Sequence, residues 1–339
     1  MKDRSDRGGF LIPFLVCLLA VGYPFSSAVA DYTQQTNVLY ATHDGVNLHG
    51  DLYLPTTPGP HPAMMLIHGG AWRVGSKDTW ADDWGPYLAE RGYVAFAINY
   101  RLSTPTETRW PEVLLDCKAA LQYLRGNAAA LGVDPDRIGV TGGSAGGQLS
   151  AMLALTQDFP AFANRYPSDA FAHVSTKVKV VAPVYAVVDM VAWWKWTTLV
   201  RTDKPLEQLF GGLPSEFPGD YFEASPINYV RSGALSLGEV SVPNEGLKIP
   251  WFVTWGMEDN VVPAEGQSIP FVEALKEAGA DATAVAVPGV GHFWQTSSLI
   301  TGQRGISPCF LDGTTVICQG ATPNDFIAPK FMKFLEENL

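Results

Sequence analysis

One serine in this chain is hemmed in by glycine. The stretch Val140-Thr141-Gly142-Gly143-Ser144-Ala145-Gly146-Gly147-Gln148 sets four glycines and an alanine around Ser144. Glycine loses more conformational entropy on folding than any other residue, so such a cluster implies a backbone that others cannot adopt. Gly142 to Gly146 read G-x-S-x-G, after the apolar run Ile138–Val140 and before a helical pattern. A strand that turns sharply into a helix needs tiny neighbours on either side of its apex, and the turn lifts the apical side chain clear of the sheet. The helix start behind it offers N–H groups to developing negative charge. Ser144 therefore reads as a nucleophile, with a purely structural glycine turn as the competing reading.

A hydroxyl is a weak nucleophile without a base, and the base needs an orienting group. The chain has six histidines. His43, His49 and His61 lie in the entry region, away from the carboxyl edge, and read as surface residues, and His173 sits in an irregular stretch. His292, in Pro288-Gly289-Val290-Gly291-His292-Phe293-Trp294, directly follows the last apolar run and is the candidate base. Asp259, in Gly256-Met257-Glu258-Asp259-Asn260-Val261-Val262-Pro263, lies between serine and histidine in order and is the candidate acid. Asp189 and Glu258 are the alternatives. A third motif, His68-Gly69-Gly70-Ala71-Trp72, follows the run Ala63–Ile67. Acyl transfer creates a tetrahedral oxyanion that needs N–H donors aimed at it in advance. Gly69, Gly70 and Ala145 are the expected donors, His68 a brace for their loop, and Trp72 a residue packed under it.

The elements that must position these residues follow from periodicity. Asn37–Thr42 and Leu48–Leu54 read as strands. Continuous apolar runs then recur at Ala63–Ile67, Tyr93–Ile98, Ile138–Val140, Val178–Val184, Trp251–Trp255 and Ala282–Val287. Helical stretches Trp80–Arg91, Pro111–Leu131, Gly146–Thr156 and Glu265–Gly279 separate most of them, and Asp325–Leu339 ends the chain. Strands apolar on both faces that alternate with helices predict a mostly parallel sheet covered on each side, with antiparallel strands at its N-terminal edge. Two stretches break the alternation: 158–176, and the Trp-rich 190–249 between the sixth and seventh strands, expected to form a cap-like insertion. Cys117 lies in a helical apolar stripe and is expected in the core.

Length and composition bound the rest. At 339 residues and 47% apolar, the chain can bury one large core, and its net charge of −11, without a basic cluster, excludes nucleic acid as a partner. Residues 1–30 read as an export signal: Lys2, Arg4 and Arg7, the apolar run Phe10–Gly22, then Ala28-Val29-Ala30. The run is too short for a stable membrane anchor. The expectation is a secreted or periplasmic protein with a single domain at 31–339. Cys309 and Cys318 bracket CFLDGTTVIC, where a hairpin would set them face to face and an oxidising compartment would favour a disulfide.

The set HGGAW (68–72), GGSAGGQ (142–148), GMEDNVVP (256–263) and VPGVGHFW (287–294) resembles α/β-hydrolase esterases, the hormone-sensitive-lipase-like group and its bacterial acetyl- and feruloyl-esterase-like relatives. INYRLS (98–103), GVDPDRIGVTG (132–142) and YFEASPINYV (221–230) support it. The resemblance implies the α/β-hydrolase fold, a Ser144–Asp259–His292 triad and an oxyanion hole of Gly69, Gly70 and Ala145. It departs at the acid, where EDNVVP stands in place of the D-P-L-x-D-E-like stretch, and in lacking the helical N-terminal cap. The expected activity is hydrolysis of short-chain or aromatic acyl esters, such as acetyl or feruloyl groups on plant polysaccharide, with no metal or organic cofactor. A lipase of longer-chain preference and an arylformamidase-like amidase are the alternatives. Trp72, Trp193, Trp194, Trp196 and Phe293 are the expected substrate contacts, although the WWKW tryptophans could equally pack the insertion onto the body.

Overall fold

The computed structural model describes residues 31–163, 165–237, 240–294, 310–312, 315–317 and 323–339. The expected export signal, Cys309 and Cys318 lie outside the described residues. In chain order the strands are β1 (Tyr32–His43), β2 (Val46–Pro55), β3 (His61–Ile67), β4 (Val94–Ile98), β5 (Val133–Gly143), β6 (Val180–Val184), β7 (Ala234–Leu237), β8 (Val240–Pro243), β9 (Trp251–Gly256), β10 (Ala282–Val287), β11 (Phe310–Asp312) and β12 (Thr315–Ile317). Eight of them form one sheet in the order β1-β2-β4-β3-β5-β6-β9-β10. The two edge pairings, β1–β2 and β2–β4, are antiparallel. Every pairing from β4 to β10 is parallel. β7–β8 and β11–β12 are separate two-stranded ribbons.

This is the mostly parallel sheet with antiparallel N-terminal strands expected from the apolar runs, and it fits the α/β-hydrolase fold that the resemblance implies. Ala63–Ile67, Val94–Ile98 and Val180–Val184 are buried throughout, because helices cover both faces of the sheet and leave no strand surface for water. The crossover helices are Glu112–Gly126, Ala145–Thr156 and Ser268–Glu277, with Pro323–Asn338 last. Ala145–Thr156 is buried at every residue. A helix apolar all round must be enclosed, and the insertion encloses this one through the helix Pro226–Ser232 and the turn Glu245–Lys248.

The insertion between the sixth and seventh strands of the sheet is present, and it is more regular than a Pro- and Trp-rich loop. It holds four helices, Met190–Val200, Pro205–Phe210, Pro218–Glu223 and Pro226–Ser232, before the β7–β8 ribbon. Proline opens three of them, where its missing N–H would have been unsatisfied anyway. Cys117 is in the core, as expected. His43 is not on the surface: it is fully buried between Asp116 and Asp169, at 2.7 and 2.8 Å.

Parallel pairing puts the carboxyl ends of β3, β5, β6, β9 and β10 on one rim. Register does the fine placement. Ile67 pairs with Gly142, and Gly143 with Val184, so the residues following β3, β5 and β6 emerge side by side.

Candidate active site

Ser144 occupies the turn between β5 and the helix Ala145–Thr156 with φ 58° and ψ −118°. A left-handed φ at a non-glycine residue is uncommon and is held only where the surroundings dictate it. Here its N–H donates to Val184 O at 2.9 Å, and its carbonyl accepts Gln148 N–H at 3.0 Å. The flanking glycines are required by close approach. A Cβ on Gly142 would lie 2.5 Å from the carbonyl oxygens of Gly146 and Ile67, and one on Gly146 would lie 2.1 Å from Ile67 O. Strand and helix cross too tightly for any side chain.

His292 follows β10, and Asp259 follows β9. Their loops are laced together by Glu258 N–H donating to Val290 O and Met257 N–H donating to Val287 O, both at 2.9 Å. His292 Nδ1 meets Asp259 Oδ2 at 2.6 Å, with both side chains almost wholly buried. The other carboxylate oxygen accepts the N–H groups of Val261 and Val262 at 2.9 and 2.8 Å. A carboxylate can only accept, so Nδ1 carries the proton and the Nε2 lone pair is available. Nε2 is buried, and among the described residues it has no hydrogen-bond partner. A histidine so held is poised to take a proton from a nearby hydroxyl.

The two alternative acids are placed elsewhere. Asp189 caps the helix Met190–Val200 by accepting Ala192 N–H at 2.9 Å. Glu258 is exposed.

Ser144 opens into a cleft of about 170 Å³ lined by Gly69, Gly70, Gly75, Thr79, Gly143, Tyr185 and Phe293. Gly69 lies against Ser144: a Cβ there would fall 3.2 Å from Ser144 Cβ. Ala145 opens the helix that follows Ser144, so its N–H has no carbonyl one turn back. His68 braces the loop as expected. Its Nδ1 donates to Gly69 O at 2.6 Å, and its ring stacks on Tyr100 with centroids 4.3 Å apart. Burial pushes the imidazole down to about 4, so it is neutral and serves as a strut.

The predicted aromatic contacts divide. Phe293 lines the cleft, more than half exposed, with its ring edge-on to His292 at 4.4 Å. Trp72 does not reach it. It is fully buried, and its Nε1 donates to Gln148 Oε1 at 3.0 Å. Trp193 is buried too, packed on Trp72 and donating to Val261 O at 2.9 Å. Trp194 and Trp196 pack against the core from the insertion, and neither borders the Ser144 cleft. The WWKW tryptophans thus follow the packing alternative, because the helix that carries them turns toward the acid loop. Tyr185 lines the cleft without belonging to any of the motifs. Its signal was position alone, directly after the apolar run ending at Val184.

Comparison with known proteins places the chain. The family described as BD-FAE matches residues 50–275, more than half of its length. The probable carboxylic ester hydrolase LipM of Mycobacterium tuberculosis is 33% identical over 257 residues, 73% of this chain and 53% of that protein. This chain spans about half the length of the curated relatives it matches first. Among solved structures, a truncated carbohydrate esterase from gut microbiota aligns over 79% of this chain and 91% of its own, with TM-score 0.62 and 29% identity. Thermogutta terrifontis esterase 2 phosphoramylated by tabun aligns over 80% and 88%, with TM-score 0.58 and 26% identity. On the family match and the shared architecture, the chain belongs to the BD-FAE family, within the α/β-hydrolase fold.

Proposed function

We propose that the protein is a serine carboxylic ester hydrolase acting on short-chain or aromatic acyl esters, of acetyl or feruloyl type, including those carried on polysaccharide. The observation that carries this reading is the buried Asp259–His292 pair, its Nε2 unshared, whose imidazole packs on Tyr185, a wall of the cleft that Ser144 also lines. His292 takes the Ser144 proton as the hydroxyl oxygen attacks the ester carbonyl. Amides of Gly69, Gly70 and Ala145 hold the oxyanion, and Asp259 steadies the imidazolium. Collapse expels the alcohol with the proton from His292. Water then releases the acyl group by the same route.

The size of the cleft, about 170 Å³, favours a short acyl group over a long alkyl chain. The carbohydrate esterase and LipM support the reaction class. Export and a Cys309–Cys318 disulfide are part of the proposal on the strength of the sequence.

The test is an ester panel of acetyl, butyryl, long-chain and hydroxycinnamoyl substrates on native protein and Ser144→Ala. We expect preference for the short or aromatic acyl groups, with turnover and organophosphonate labelling lost in the variant by several orders of magnitude. Preference for long chains would make the protein a lipase. Cleavage of N-formylkynurenine without ester turnover would make it an amidase.

A further inference from the structure

Tyr185 stands beside the nucleophile for reasons of register. It follows Val184, whose carbonyl accepts the Ser144 N–H. Its own N–H is tied to Thr254 O at 2.7 Å, and it keeps φ 35°, a conformation that bulky residues avoid. The ring is almost wholly buried, with centroids 4.4 Å from His292 and 5.9 Å from Trp294. On its other side it presses on the residue before the nucleophile. A Cβ on Gly143 would lie 2.8 Å from both Tyr185 Cε2 and Oη. Gly143 is therefore glycine to admit the phenol edge, hydroxyl included, and both residues line the Ser144 cleft. Among the described residues that hydroxyl has no hydrogen-bond partner. Burial, with the Asp259 charge adding to it, holds the phenol well above its ordinary value, so it remains an O–H donor.

Which part of a substrate would meet it follows from the mechanism and rests on the esterase reading above. His292 must hand its proton to the departing alkoxide, so the alcohol portion lies on the imidazole side of Ser144. The oxyanion loop, Gly69 and Gly70, borders Ser144 from β3, while Tyr185 borders it from β6 in contact with the imidazole. We propose that Tyr185 is a specificity residue for the alcohol half of the ester, its hydroxyl donating to a second oxygen close to the ester alkoxy oxygen. Esters of polyols and sugars carry such an oxygen; simple alkyl esters do not. A site built around a donor discriminates against an analogue that leaves the donor unpaired.

The experiment compares 2-methoxyethyl acetate with butyl acetate, which differ by one ether oxygen in place of a methylene, on native protein and Tyr185→Phe. The expected result is that kcat/KM favours the ether ester in native protein by about tenfold more than in the variant, one hydrogen bond's worth. Equal ratios in the two proteins would overturn the proposal, because loss of ring packing against His292 would slow both esters alike. Should Tyr185→Phe fail to fold, the native ratio is set against the ratio of the two esters' alkaline hydrolysis rates. An excess near tenfold supports the assignment, and parity overturns it. If native protein shows no Ser144-dependent turnover of either ester, the esterase reading itself fails and takes this one with it.

Discussion

Asp259 is fixed three times over, by His292 and by the amides of Val261 and Val262. A carboxylate so held can keep the imidazole in one tautomer through a reaction. Asp259→Asn would offer an N–H where Nδ1 must donate, and turnover should fall about 10⁴-fold with the fold intact. Asp189→Asn should leave turnover within a few-fold, since asparagine caps a helix as well as aspartate does. Steady-state kinetics of the two variants decides between the acids. At this scale the candidate site residues were legible because each is announced by its neighbours: glycines around Ser144, a strand ending before Asp259, another before His292. The environment of His43 was not legible. Its partners, Asp116 and Asp169, are 73 and 126 residues away.

At the scale of elements, the helix that follows Ser144 is held at both ends. Its start is set by the glycine turn, and its last carbonyls meet a buried lysine. Lys118, on the helix Glu112–Gly126, directs Nζ at the carbonyls of Thr156 and Gln157 and is almost fully buried. Burial lowers it to about 7. Between that value and the ordinary 10.5 the unfolded chain binds the extra proton, so this group's contribution to stability grows as pH rises through the window. The unfolding free energy of native protein relative to Lys118→Met should therefore increase from pH 7 to pH 10, by on the order of 3 kcal/mol. Urea titrations at the two pH values measure it, and a flat difference would refute it. The strands and crossover helices were readable from periodicity. The helices of 190–249 were not, because they are short, three of the four start on proline, and they are held by tertiary contact.

Across the whole molecule, a charged knot joins four parts of the chain. His43 at the end of β1 bridges Asp116 and Asp169, so both ring nitrogens donate and the imidazole is charged. Arg101, after β4, donates to Asp116, Asp44 and Tyr166, and the Tyr166 ring stacks on His43 with centroids 3.6 Å apart. Burial alone would lower the His43 pKa, but hydrogen bonds to Asp116 and Asp169 and their charges outweigh it and raise it above 6.5. Its stabilisation is thus complete below pH 6.5 and fades as pH climbs through the raised value. Native protein should lose stability relative to His43→Gln between pH 6 and pH 9, as thermal melts across that range would record. A second tie crosses from the loop after β3 to the insertion, where Asp203 accepts from both Arg73 and Arg201. The cap is thereby fastened to the loop that lines the cleft.

The sequence by itself marked the candidate site residues and the succession of strands and helices, because those signals are local: glycine spacing, apolar period, and the residue at the end of each strand. Only the tertiary structure decided which aromatic side chains face the cleft. Phe293 does and Trp72 does not, although each adjoins a motif residue, and Tyr185 does with no motif to mark it. Burial depends on what packs across an element from elsewhere in the chain. In this fold the deciding partners, Val261 for Trp193 and Gly143 for Tyr185, lie tens of residues away.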